Sequence, residues 1–149
     1  MPKISPVFKP YAEQWLMNLK KIQDPSQAIG TVRADATLIG NQASEVMAAV
    51  GFCENVTFAR YAVLEGLDFD SLQTSVRGHW DRRGQGDFSA IEPSFRDFVV
   101  ETRITSTDSV DKIKRVALTV HRRCPMHSTI AKVGKVVDRL FVNGSEVAL

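Results

Sequence analysis

Hydrophobic and polar positions along the chain repeat with two periods, and the changes of period mark the elements. In residues 6 to 22, PVFKPYAEQWLMNLKKI, the side chains of Tyr11, Trp15, Leu16, Leu19 and Ile22 share one side beyond Pro10, which predicts an amphipathic helix. DPSQ breaks it. IGTVRADATLIG then alternates, with Ile29, Thr31 and Arg33 opposed to Val32, Ala34 and Ala36, the pattern of a short strand. Residues 42 to 65 form one long predicted helix, preceded by Asn41 and stopped by Gly66. From Val46 to Cys53 that helix carries no charge on any face, so burial on all sides is expected.

LQTSVRGHW alternates cleanly, with Leu72, Thr74, Val76 and Trp80 facing one way and Gln73, Ser75, Arg77 and His79 the other. FVVETRIT repeats the pattern through Phe98, Val100, Thr102 and Ile104. These are two half-buried antiparallel strands, and the Gly-, Asp- and Arg-rich stretch from 81 to 94 between them reads as a loop. Asp108 or Ser109 caps a helix whose apolar stripe is Val110, Ile113, Ala117 and Val120. Pro125 suits the first position of a further helix, and RLFVNGSEVAL supplies a last strand with an Asn-Gly turn. The fold class is α+β, with two antiparallel strand groups around a long apolar central helix.

A chain of 149 residues is one ordinary domain, able to bury a core without staples. In so small a domain one monomer can hardly enclose the uncharged helix, so a homodimer interface is the expected cover. Hydrophobic residues at 44% and charged residues at 24% exclude a disordered chain, and a net charge of +2 does not suggest a nucleic-acid partner. No secretory leader pattern opens the chain, and no run reaches the about 18 apolar residues of a membrane span, so a cytoplasmic protein without membrane contact is expected.

Only two cysteines are present, Cys53 in VMAAVGFCENVTF and Cys124 in HRRCPMHSTI. In a reducing compartment a structural disulfide is not the default, which leaves inert core residues, metal ligands or a redox pair. His121, Cys124 and His127 have the spacing H-x2-C-x2-H, but a zinc set built on them would need Cys53 to complete it, and no metal or cofactor is expected. His79 reads as a solvated residue on a polar strand face, and KIKRVALTVHRR as a solvated basic helix face.

AAVGFCENVTFARYAVLEGLDFDSLQTSVRG resembles the central block of the OsmC/Ohr proteins: a small-residue helix, a cysteine, an aromatic-bearing second half, then Gly and a strand. CPMHSTI matches the family's Cys-Pro at the start of a short helix, in the right order and at the right separation. The resemblance runs from about residue 43 to the end. It implies a single OsmC-like domain over residues 1–149, with a helix at about 10–22 as an appendage, and an intertwined homodimer with the cysteine helices at its centre. It also implies reduction of a small organic hydroperoxide by paired thiols without metal or cofactor. Cys53 would attack, Cys124 would close the disulfide, and an external dithiol would restore both. The family's assisting arginine and glutamate fall on Arg33 and Glu45. Glu45 stands eight residues before Cys53, slightly nearer than in the family, and so lies about 80° to one flank of the cysteine. The second function compatible with the resemblance is a non-catalytic dimer that binds a small apolar ligand or senses oxidants through its thiols.

Local rules divide the two sulfurs differently. Cys53 lies mid-helix among Val50, Phe52 and Val56, where burial favours the thiol, so its thiolate needs a cation such as Arg33 or Arg60. Cys124 is placed at a helix N-terminus beside Arg122 and Arg123, which predicts the more acidic thiol.

Overall fold

The computed structural model describes residues 8–21, 45–85 and 90–149. The predicted strand at 29–36, with Arg33 in it, lies outside the described residues, as does the opening of the predicted 42–65 helix. The elements are α1 (Phe8–Lys21), α2 (Glu45–Leu64), β1 (Ser71–Trp80), β2 (Phe95–Thr105), α3 (Val110–Arg123), α4 (Pro125–Val133), β3 (Lys135–Val142) and β4 (Ser145–Val147). They make an α+β fold, and no described helix is long and apolar enough to cross a membrane.

The four strands form one sheet in the order β1-β2-β3-β4. β1 and β2 pair antiparallel, with Val76 opposite Val100 and Leu72 opposite Ile104, and β3 and β4 form a second antiparallel pair. The two pairs join along a parallel seam of β2 and β3, with Thr102 beside Leu140. Parallel neighbours need a crossover, and α3 and α4 are that crossover. β2 begins at Phe95, earlier than the sequence pattern suggests, and Phe95 packs edge-on against Trp80 at 5.3 Å.

Helix ends follow local chemistry. Gly66 takes φ +62, and the Leu67 and Gly66 amides donate to the Ala62 and Val63 carbonyls at 2.7 and 3.2 Å, a Schellman stop for α2. Ser109 rather than Asp108 caps α3, its hydroxyl accepting from the Lys112 amide at 3.4 Å. The Asp108 carboxylate instead accepts from the Asp68 amide and pairs with Lys112, bonds that hold its pKa below the ordinary value. Asn143 and Gly144 both have positive φ, giving the mirror-image turn that suits a two-residue hairpin between β3 and β4.

α2 lies against the sheet and the crossover. Val50, Glu54, Phe58 and Ala62 form its inward stripe, each 2% exposed or less. Gly51 lets the helix approach β1, since an added Cβ there would stand 3.3 Å from the Thr74 carbonyl oxygen. The opposite face is open: Val46 is 48% exposed and Phe52 72%. Among the described residues, the uncharged segment is therefore covered on one side and open on the other.

Candidate functional site

The site starts at the joint between α3 and α4. The Cys124 amide donates to the Val120 carbonyl at 2.7 Å and ends α3, while Pro125 opens α4 without needing an amide donor. A single extended residue thus serves as C-cap of one helix and N-cap of the next. Packing of both helices against α2 turns its side chain into the core, where Cys124 is fully buried. Its Sγ lies 3.4 Å from that of Cys53, and both cysteines are free thiols. A disulfide bond is about 2.05 Å long, so a relative shift of little more than an ångström separates contact from bonding. Cys53 is only partly buried.

Burial changes the expected division of acidity. The Cys124 thiol is pushed up to about 12, first by its removal from solvent. The backbone hydrogen bond from His127 works against this, while Cys53 and the Glu54 carboxylate add to it. The helix N-terminus is present as predicted, but the sulfur lies where a thiolate is poorly solvated. Burial therefore overturns the expectation that the helix N-terminus and its arginines make Cys124 an acidic thiol. In the reduced native protein, a neutral alkylating reagent at about pH 8 is expected to modify Cys53 and spare Cys124 until denaturant is added. Peptide mass spectrometry reads this directly, and equal native rates at both sulfurs would contradict it.

Beside the thiols lies a cluster that the sequence pattern did not reveal. The Glu54 carboxylate, next in sequence to Cys53, is 2.5 Å from His127 Nδ1, and both side chains are buried. His127 Nε2 and His121 Nδ1 stand 3.6 and 3.5 Å from the same Asp138 oxygen, and the two imidazoles stack at 4.7 Å. Burial disfavours charge on His127, but the hydrogen bond to Glu54 and the charges of Asp138 and Glu54 outweigh it, so its pKa is raised. His121 is lowered, by burial and by His127 against the pull of Asp138. Burial raises Asp138, with Glu54 adding to the rise and the two histidines opposing it. One signal for Glu54 was available: it is the single charged residue on the stripe of Val50, Phe58 and Ala62, and a carboxylate there needs a buried partner.

The other predicted residues are placed as follows. Arg60 donates to the Tyr11 hydroxyl at 3.3 Å and stands over its ring, tying α2 to α1. Glu45 begins α2, but its side chain lies outside the described residues, as does Arg33. The histidines of H-x2-C-x2-H face the carboxylates of Glu54 and Asp138 instead of completing a set with the two sulfurs. His79 is exposed as expected, and it pairs with Asp97 across the β1–β2 ladder at 2.5 Å.

The arrangement defines a class: an α+β domain with two juxtaposed thiols, one on a central helix and one at a Cys-Pro helix start. Residues 44–138 match the family model of OsmC-like proteins, and the chain belongs to that family. Solved structures agree on the fold. An OsmC-like protein from Mycoplasma pneumoniae is 20% identical with a TM-score of 0.58, covering 66% of this chain and 68% of its own. A hypothetical protein from Aquifex aeolicus is 7% identical with the same TM-score, over 69% and 74% of the two chains. An organic hydroperoxide resistance protein OsmC from Legionella pneumophila is 14% identical at 0.53, over 68% of each. No curated protein matches.

Proposed function

We propose that the chain is a redox protein of oxidative-stress defence that reduces organic hydroperoxides with its two thiols. The observation that carries this reading is the 3.4 Å separation of Cys53 and Cys124. Support comes from the name of the Legionella pneumophila neighbour, an organic hydroperoxide resistance protein and predicted redox protein. Cys53, the more accessible sulfur, attacks the peroxide; the O–O bond breaks, an alcohol leaves and Cys53 becomes a sulfenic acid. Cys124 then attacks that sulfur, water departs and a disulfide forms. An external dithiol reduces it and is itself oxidised to a disulfide. Arg33 holds the thiolate and orients the peroxide, and Glu45 steers Arg33, roles that rest on the family resemblance. One equivalent of cumene hydroperoxide is expected to consume both thiols of the reduced protein, as titrated with a thiol reagent. Loss of one thiol or none would reject the mechanism.

The working unit in this reading is a homodimer. The open face of α2, with Phe52 at 72% and Val46 at 48% exposure, is the surface a second copy covers. An interface above about 1,600 Å² is expected, and Phe52→Lys should convert the dimer to monomer in analytical ultracentrifugation. A wild-type chain that stays monomeric at all concentrations rejects this assembly.

The deep burial and raised pKa of Cys124 favour one alternative, an oxidant sensor that closes its disulfide once and resets slowly. Sustained turnover with excess dithiol and peroxide separates an enzyme from such a sensor.

A further inference from the structure

The thiol chemistry leaves four neighbouring groups without a task. Glu54 comes from α2, His121 from α3, His127 from α4 and Asp138 from β3, so four separate elements converge on one point, with Glu54 and His127 buried and His121 and Asp138 partly so. Removing two carboxylates and two imidazoles from water is costly unless each is paired. Glu54 and His127 satisfy one another, but the rest of the cluster is slack. Asp138 Oδ1 is buried with no hydrogen-bond partner among the described residues, and its Oδ2 stands at 3.5 and 3.6 Å from the two imidazole nitrogens, beyond good hydrogen-bond length. A buried group left unsatisfied points to something that completes it, such as an ion.

We propose that Glu54, His121 and His127 bind a single divalent ion of the zinc class, with Asp138 orienting the imidazoles. One ligand atom from each of the three lies within 4.8 Å of the others. Zinc holds nitrogen and oxygen ligands at about 2.0 to 2.2 Å, which places tetrahedral ligand atoms roughly 3.3 to 3.6 Å apart. The widest pair closes by about an ångström to reach that spacing, and the Glu54–His127 hydrogen bond, at 2.5 Å, opens by a similar amount. The ion takes the place of the proton these two side chains share. His127 presents Nδ1 to Glu54 and Nε2 to Asp138, so a carboxylate steadies one nitrogen while the other faces the site. Two imidazoles and one carboxylate suit zinc, cobalt or nickel and leave a fourth position for water; calcium and magnesium require mostly oxygen. Neither sulfur belongs to the set.

The site stands independently of the hydroperoxide reading, and its test does not use activity. Metal-free protein is titrated with cobalt(II), the spectroscopic stand-in for zinc. One equivalent is expected to bind with visible d–d absorption and without a near-ultraviolet thiolate charge-transfer band, and zinc should displace it. The Cys53→Ser/Cys124→Ser double variant should bind equally well. His121→Gln, at the most exposed of the three ligands, should weaken binding by about 100-fold, and Asp138→Asn by about 10- to 100-fold. If His121→Gln does not fold by circular dichroism, Asp138→Asn and the zinc-induced rise in Tm of the wild type carry the decision. Absence of saturable binding at micromolar cobalt overturns the site, as does binding that ignores both substitutions or vanishes with the thiols.

Discussion

Cys53→Ser is expected to abolish hydroperoxide reduction, by at least about a thousandfold, because no other sulfur in the chain can take its place at the peroxide. Cys124 is fully buried and its thiol is pushed up to about 12, so it is a poor initiator. Cys124→Ser should behave differently. Cys53 still attacks one equivalent of peroxide, then remains as a sulfenic acid that a dimedone-type reagent captures. Arg33→Ala should slow this first step by about 100-fold if its charge faces the reacting oxygen. Stopped-flow peroxide consumption measures all three variants. Turnover by Cys53→Ser together with none by Cys124→Ser would exchange the roles of the sulfurs.

Glu54→Ala is expected to destabilise the fold by about 3–5 kcal/mol, the usual cost of leaving a buried charge without its partner. Glu54 and His127 are both buried, and the carboxylate is the hydrogen-bonding group that holds the His127 proton. Denaturant unfolding of the metal-free protein tests this, and a loss below about 1 kcal/mol would show that the pair is not an ion pair. The sign of the pH dependence follows from His127. The folded chain holds its proton more tightly than the unfolded chain, so the stabilisation is complete below the ordinary value of 6.5 and fades as pH rises through the raised one. His121 is lowered and contributes the opposite slope. Comparing wild type with Glu54→Gln isolates the slope that the Glu54–His127 bond adds. The variant should lose less stability than the wild type as the pH is raised from about 6 to 9.

β1 was legible in the sequence because it has one wet face: the alternation in LQTSVRGHW is the alternation of exposure along it. The helix stop at Gly66 and the helix start at Pro125 were legible because backbone conformation there is decided by the residue itself. The pairing of the two cysteines came from resemblance, since contact between residues 71 positions apart leaves no local mark. The same limit concealed Glu54 and His127, which meet across 73 positions. At Cys124 a correct local rule met a stronger tertiary effect. The Cys-Pro start does form a helix N-terminus, but α2 covers the sulfur, and loss of solvent outweighs the helix dipole. The open face of α2 shows the converse, for within the segment uncharged all round Val50 and Gly51 are buried while Val46 and Phe52 stay exposed.

The one-residue joint between α3 and α4 has a thermodynamic side. Cys124 belongs to the crossover and Cys53 to the central helix, so a bridge between them would close a loop of about 70 residues. Closing such a loop removes unfolded-chain entropy worth about 4 kcal/mol. Linkage makes the exchange reciprocal: whatever the bond adds to the native state, the native state adds to the bond, to the same extent and at the expense of its reduction. Oxidised protein would then outlast reduced protein against heat and proteases. A dithiol acting on the folded chain would have to overcome the stability of the fold as well as that of the sulfur–sulfur bond.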